Sequence, residues 1–376
     1  MNENSRSSRK LVKKMVLIAI AIVCAVILIA VLAIVAARAY NAHQSRIGTD
    51  TGIQEGIYIP AGGIEQYLQI RSEDKGNPVI LWLHGGPGNP LSYLTYYYQR
   101  PLEKDYTIAY WEQRGCGRTF YRNEGSGELT IEQLLADTDE VVDYLRERFD
   151  QEKIVIAGHS WGTVLGMEYV NTHPEKVAAY IGVGQVTDFS QGKIHAAQIA
   201  SQAASAGGNK EDSALLERHI EELSKAESID QVNAESLEEM IIASLKLLRS
   251  DGEMSGVEQA IMGVTAPEML WDDMRWFLFE SDTKSIFDAQ GKLVDYMYFR
   301  FDVAKLSSEY DIPICFIQGD SDWITPTDMV AEYYSGITAE KKEMVTIENA
   351  GHTPFLDNPG RFCKAIETFL SGCGIE

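Results

Sequence analysis

The pentad Gly158-His159-Ser160-Trp161-Gly162 stands directly after an apolar run at 153–157 and directly before a helix-forming stretch. A serine on a sharp strand-to-helix turn presents its hydroxyl for attack on a carbonyl, and small neighbours suit the strained, closely packed backbone of such a turn. To act as a nucleophile the serine needs a general base, and the base needs an orienting acid. Both follow later in the chain, in that order. The acids are Asp320 and Asp322, in Gly319-Asp320-Ser321-Asp322-Trp323 after a run at 312–317. The base is His352, in Gly351-His352-Thr353 after a run at 344–347. Loops at the C-terminal ends of strands are where the reactive groups of open α/β sheets collect. His352 alone among the seven histidines follows the last strand-like run, which sets it apart from a structural loop histidine.

Acyl transfer also needs donors for a developing oxyanion. His84-Gly85-Gly86-Pro87-Gly88 follows the first core run, and glycines there let backbone N–H groups approach a substrate carbonyl. The expected donors are the N–H groups of Gly86 and of Trp161, with His84 bracing the loop. A triad with such a hole draws nucleophile, proton transfer and charge stabilisation from protein groups alone, so no metal or organic cofactor is expected.

These residues require a sheet to position them. Runs at 57–60 and 67–71 flank Ala61-Gly62-Gly63, a hairpin signal, and buried strand-like runs recur at 78–84, 106–111, 153–157, 177–183, 312–317 and 344–347. Thr130 and Gln133 read as a capping box opening a helix to about Phe149. Alternating strands and helices imply a mostly parallel, doubly wound sheet. Between 187 and 300 the strand signals stop and only helical patterns occur, with 21 acids against 10 bases. That stretch is expected to be a helical cap inserted between two parts of the α/β core, 53–186 and 301–376.

The first 38 residues have a different composition. They carry six basic groups against one acid, a net of +5, in a chain whose net charge is -22, so residues 39–376 hold -27. From Met15 to Ala37 runs an uninterrupted stretch of 23 residues without a polar side chain, about 34 Å of helix against a hydrocarbon core of about 30 Å. It reads as a transmembrane helix (15–37) between a basic tail (1–14) and a linker (38–52). A cleaved signal peptide is the rival reading, with Ala37-Arg38-Ala39 as a weak cleavage site. The basic excess before the span predicts a single-pass protein with its N-terminus cytoplasmic and its body outside. None of the nine asparagines after the span begins a glycosylation sequon, which favours a bacterial cell membrane. The acidic body argues against nucleic acid as a partner. The spacing of the five cysteines matches no metal site and leaves disulfides open.

Four motifs in order, His84-Gly85-Gly86-Pro87-Gly88, Glu112 to Arg118 (Glu-Gln-Arg-Gly-Cys-Gly-Arg), Gly158 to Thr163 and Gly351-His352, resemble the proline iminopeptidase group of α/β-hydrolases over about 53–372. The resemblance implies the α/β-hydrolase fold with an inserted cap and a triad of Ser160, Asp322 and His352. Asp322 is preferred to Asp320 because the family's acid stands three places after the glycine. It also places the loop of Glu112 beside the site, with Glu112 and, in the cap, Glu280 as the substrate-binding candidates. Peptidases of that group hold the substrate's free amine with cap glutamates in a Trp-x-x-Trp-Glu pattern, which this sequence lacks. Trp271, Trp276 and Glu280 are the nearest approximation, and core aromatics are the other reading of the two tryptophans.

Two enzyme functions follow. One is a membrane-anchored serine hydrolase releasing N-terminal proline or small residues from short peptides; the other is an esterase or lipase of the same fold. Ser160 excludes the relatives that use an aspartate nucleophile. A catalytically silent binding module would be expected to have a broken triad.

Overall fold

The computed structural model describes residues 3–123, 127 and 129–376, with side chains from Leu11 onward, so the side chains of Arg6, Arg9 and Lys10 in the expected basic tail lie outside the described residues. Helix α1 (Glu3–Gln44) contains a segment long and apolar enough to cross a membrane. It runs past the expected end of the span. Residues 38–44, expected as linker, continue the helix because Arg38 and Asn41 find acceptors on the body: Arg38 Nε donates to Val264 O at 2.9 Å and Asn41 Nδ2 to Thr265 O at 3.0 Å.

Strands β1 (Ile53–Ala61) and β2 (Ile64–Ser72) pair antiparallel across Gly62 and Gly63. Both glycines have positive φ, 57° and 76°, as a two-residue turn matched to strand twist demands. The chain continues through β3 (Val79–Leu83), the single turn α2 (Thr95–Tyr98), β4 (Thr107–Glu112), α3 (Gly117–Arg122) and α4 (Ile131–Arg148). Next come β5 (Ile154–His159), α5 (Trp161–Thr172) and β6 (Val177–Val183). At the start of α4, Thr130 Oγ1 accepts from Gln133 N at 3.3 Å, but the Gln133 side chain turns to Asp137 instead of completing the box.

From here to the next strand the elements are helical: α6 (Phe189–Ala206), α7 (Lys210–Lys225), α8 (Ala234–Leu248), α9 (Gly256–Thr265), α10 (Trp271–Phe279) and α11 (Thr283–Asp295), closed by one π-helical turn at Tyr296–Arg300. Their starts are written in the sequence. Asp188, Asn209, Asn233, Ser255 and Asp282 each accept from the backbone N–H three residues on. The chain returns through β7 (Glu309–Tyr310), β8 (Ile314–Gly319), α12 (Thr327–Gly336), β9 (Thr338–Ala339), β10 (Lys342–Ile347), α13 (Pro354–Asp357) and α14 (Pro359–Ser371).

Among the described residues the main sheet has eight strands in the order β1-β2-β4-β3-β5-β6-β8-β10, parallel from β4 onward; β7 and β9 form a separate small pair. Successive residues of each central strand feed opposite cores, as a period of two requires. Leu81, Leu83, Ile156 and Phe316 join α4 and α5 on one face. Trp82, Val155, Cys315 and Ile317 join α14 and Phe355 on the other. With both faces covered, β3, β5 and β8 are buried along their whole length. The five cysteines are free thiols.

Candidate active site

Ser160 sits between the last residue of β5 and the first of α5 with φ 53° and ψ -119°. An L-residue held there is strained, and the strain is imposed by two close approaches. A Cβ on Gly158 would overlap the Gly162 carbonyl, and a Cβ on Gly162 would overlap the Leu83 carbonyl oxygen of the neighbouring strand. The Ser160 N–H donates to Val183 O at 3.0 Å, and the Thr163 hydroxyl ties back to Ser160 O at 2.7 Å.

Residues distant in sequence converge on this turn. His352 packs its ring against Gly184, the residue after Val183, where any Cβ would crowd the imidazole. Its Nδ1 lies 2.9 Å from Asp322 Oδ2 and 3.1 Å from Oδ1. A carboxylate accepts, so Nδ1 donates, and in the neutral ring Nε2 is then the nitrogen that keeps the lone pair. Asp322 is buried, which alone would raise its pKa, but the facing His352 and further donors outweigh this and lower it. Those donors are Ile324 N, Thr325 N and the Thr325 hydroxyl, at 2.9, 2.9 and 2.8 Å. Asp320 is exposed and instead accepts from Ala350 N at 3.2 Å. The structure thus brings Asp322, and not Asp320, to His352.

The His84–Gly88 loop lies beside Ser160, since a Cβ on Gly85 would approach Ser160 Cβ and the His159 ring. Gly86 has φ 122° and Gly88 φ 80°, conformations that favour glycine. No hydrogen bond among the described residues engages the Gly86 N–H, and Trp161, first residue of α5, has no intrahelical acceptor for its own. His84 is fully buried, which lowers its pKa to about 4. Being neutral, it accepts from Gln113 N at 3.2 Å through Nε2 and donates to Gly85 O at 2.8 Å through Nδ1.

Glu112 differs from its expected substrate-binding place. It is fully buried, its Oε1 accepts from Ser92 Oγ at 2.6 Å and its Oε2 from Arg118 N at 2.6 Å, so both oxygens are occupied by the protein. Burial raises its pKa to about 7 against the opposing pull of Arg118. Trp276 is buried and donates to Gly88 O at 2.8 Å, whereas Trp271 is exposed. The first braces the glycine loop and the second does not touch it. Glu280 caps the C-terminal end of α10, and its carboxylate adds to the burial that raises the Tyr121 phenol.

Several groups around the site carry no motif of their own. Glu253 accepts from Ser321 Oγ at 3.1 Å and wedges against Gly351, linking the cap to both acid and base loops. Lys193 of α6 is buried, donates to Ile324 O at 3.0 Å and sits 4.3 Å over the Phe189 ring. Their side chains reach the site only because helices far along the chain fold back over it, and nothing in local spacing marks them.

A model of the α/β-hydrolase fold matches residues 78–210. With the sheet order and the serine turn, this makes the chain an α/β-hydrolase. It is proline iminopeptidase-like. It is 25% identical over 323 residues to a probable aminopeptidase, YbaC, of Bacillus subtilis (strain 168), covering 82% of this chain and 93% of that one. It is 25% identical over 320 residues to a proline iminopeptidase of Heyndrickxia coagulans, covering 84% and 98%. Among solved structures, a proline iminopeptidase-related protein from Thermus thermophilus superposes with a TM-score of 0.60 at 18% identity, covering 85% of this chain and 98% of that one.

Proposed function

We propose that this hydrolase is a membrane-anchored serine aminopeptidase that releases N-terminal proline or small residues from short peptides. Ser160 Oγ attacks the scissile carbonyl while its proton passes to His352 Nε2. The oxyanion is held by the N–H groups of Gly86 and Trp161. Collapse breaks the C–N bond, and the leaving amine takes the proton from His352. Water then attacks the acyl-serine by the same base, releasing the amino acid and restoring Ser160. Asp322 keeps the imidazole in the accepting tautomer throughout. The observation that carries the reading is the His352–Asp322 pair at 2.9 Å, set beside the strained Ser160 turn through Val183 and Gly184.

The preference for a free amine rests on the relatives' printed activities and on charge. The segment 187–300 is net -11, and carboxylates over a dry cleft attract an ammonium. Helix α1 serves as an uncleaved anchor, N-terminus inside and body outside, as the basic residues before the span direct. Protease added to intact cells should then digest the body and spare the tail.

The test is kcat/KM of the full chain in detergent on an alanyl or prolyl arylamide against its N-acetylated twin. Acetylation removes the charge and leaves the scissile bond unchanged. The free amine should win by about 10- to 1000-fold, the worth of a partly buried charge-assisted contact. Equal rates, or turnover of aryl esters alone, would assign the site to ester hydrolysis instead.

A further inference from the structure

Outside α1, the described residues expose ten large hydrophobic side chains, and seven of them fall within 257–279: Val257, Ile261, Val264, Leu270, Trp271, Leu278 and Phe279. Their spacing is helical. Val257, Ile261 and Val264 follow i, i+4, i+7 along α9, and Trp271 and Leu278 follow i, i+7 along α10, so each helix turns one apolar stripe outward. Charges within this segment are engaged with other groups. Asp273 is buried against Arg118 at 2.8 Å, Glu268 pairs with Arg71 at 3.0 Å, Asp272 faces Arg275 at 3.5 Å, and Glu258 closes the capping box of α9. In a chain of net charge -22, such a face needs an apolar occupant.

The position of the face identifies that occupant. Arg38 is the first residue after the apolar run of α1, at the level where a span leaves lipid, and its guanidinium donates to Val264 O at 2.9 Å and Met269 O at 3.4 Å. These carbonyls flank the connection between α9 and α10. Asn41 holds Thr265 O in the same way. The chain just beyond is also fixed: buried Arg71 donates to Ser45 O and joins it to Glu103 and to Glu268 of the same connection. The stripes therefore begin within one side-chain length of the lipid–water boundary, on the element to which the anchor is bonded. Tyr40 and Trp271 are both exposed near this level, the depth that amphipathic aromatics prefer.

We infer that the apolar face of α9 and α10 is seated in the headgroup region of the bilayer that α1 crosses. The proposal rests on the anchor reading above and goes beyond it, since a span through the bilayer does not by itself put any part of the body in lipid. Because Trp276 of α10 donates to Gly88 O, the lipid-seated helix is also the one that holds the glycine loop of the candidate site.

The full chain in phosphatidylcholine vesicles tests this, with part of the lipid brominated near the headgroup end of its acyl chains. The Trp271 signal is the fluorescence lost in Trp271→Phe. After an alkaline carbonate wash the protein should remain with the vesicles, and brominated lipid should remove about half or more of the Trp271 signal. In Ile261→Asp/Leu278→Asp, whose arylamide kcat in detergent should match the parent's, that quenching should fall about twofold or more. Retention in vesicles without Trp271 quenching would overturn the seating and leave the anchor intact. Release by the wash would overturn both. Efficient crosslinking between chains through Val257→Cys, with Trp271 shielded from brominated lipid, would give the face to a second copy and overturn the proposal.

Discussion

His159 reaches from the turn before Ser160 to the loop of the candidate base: its Nε2–H donates to the backbone carbonyl of His352 at 2.9 Å, with the two rings 4.9 Å apart. Burial, reinforced by the facing His352, holds its pKa down to about 3, so it is a neutral donor at any working pH. The bond fixes the height of the His352 backbone relative to the nucleophile. His159→Phe keeps the ring and removes the donor, and kcat should fall about 10- to 100-fold with KM little changed, as expected for a small misplacement of a base. His159→Gln, which restores a donor, should lose less. Steady-state kinetics on an arylamide checks the ranking.

The two carboxylates of the acid loop separate in the same assay. Asp322 holds Nδ1 of His352, whereas Asp320 accepts only from Ala350 N among the described residues. Asp322→Asn should therefore reduce kcat by roughly four orders of magnitude by favouring the wrong tautomer. Asp320→Asn should stay within about tenfold of the parent. The reverse order would show that the acid had been misassigned.

Backbone crowding at the elbow predicts a stability effect independent of chemistry. A Cβ on Gly162 would meet the Leu83 carbonyl oxygen, backbone that cannot step aside without moving β3. Gly162→Ala should lower the melting temperature by about 5 °C or more, read by circular dichroism.

Much of this site was readable because its chemistry is local in sequence. Gly158, Ser160 and Gly162 are adjacent, and each of Gly86, Asp322 and His352 follows an apolar run that became β3, β8 or β10. The cap was legible only as helices, because a helical apolar pattern such as Met240, Ile241, Leu245 and Leu248 is set within a few turns. How those helices pack is decided by contacts far apart in sequence. Thus Glu112 kept its predicted loop, yet its oxygens went to Ser92 and Arg118. Residues 38–44, polar enough to read as linker, stayed helical because Arg38 and Asn41 found acceptors more than 220 residues away.

Lys193 gives the site's surroundings a pH dependence. Burial, only partly offset by Asp322, lowers its pKa from 10.5 to about 7. Below pH 7 the amine is charged in both folded and unfolded chains, and the cost of burying the charge is at its largest. Between pH 7 and 10.5 the unfolded chain binds the extra proton, so this group's contribution to stability rises with pH. Lys193→Met removes the cost. Its gain in melting temperature should be about 5 °C or more at pH 6 and should shrink towards pH 10.

The central claim is that Ser160 is the nucleophile, and covalent capture tests it most directly. The full chain treated with a fluorophosphonate should gain one adduct, mapped by mass spectrometry to the peptide bearing Ser160. Ser160→Ala, folded by circular dichroism, should take up no label and lose roughly four to six orders of magnitude in kcat. An adduct on another serine, or hydrolysis retained by Ser160→Ala, would contradict the account.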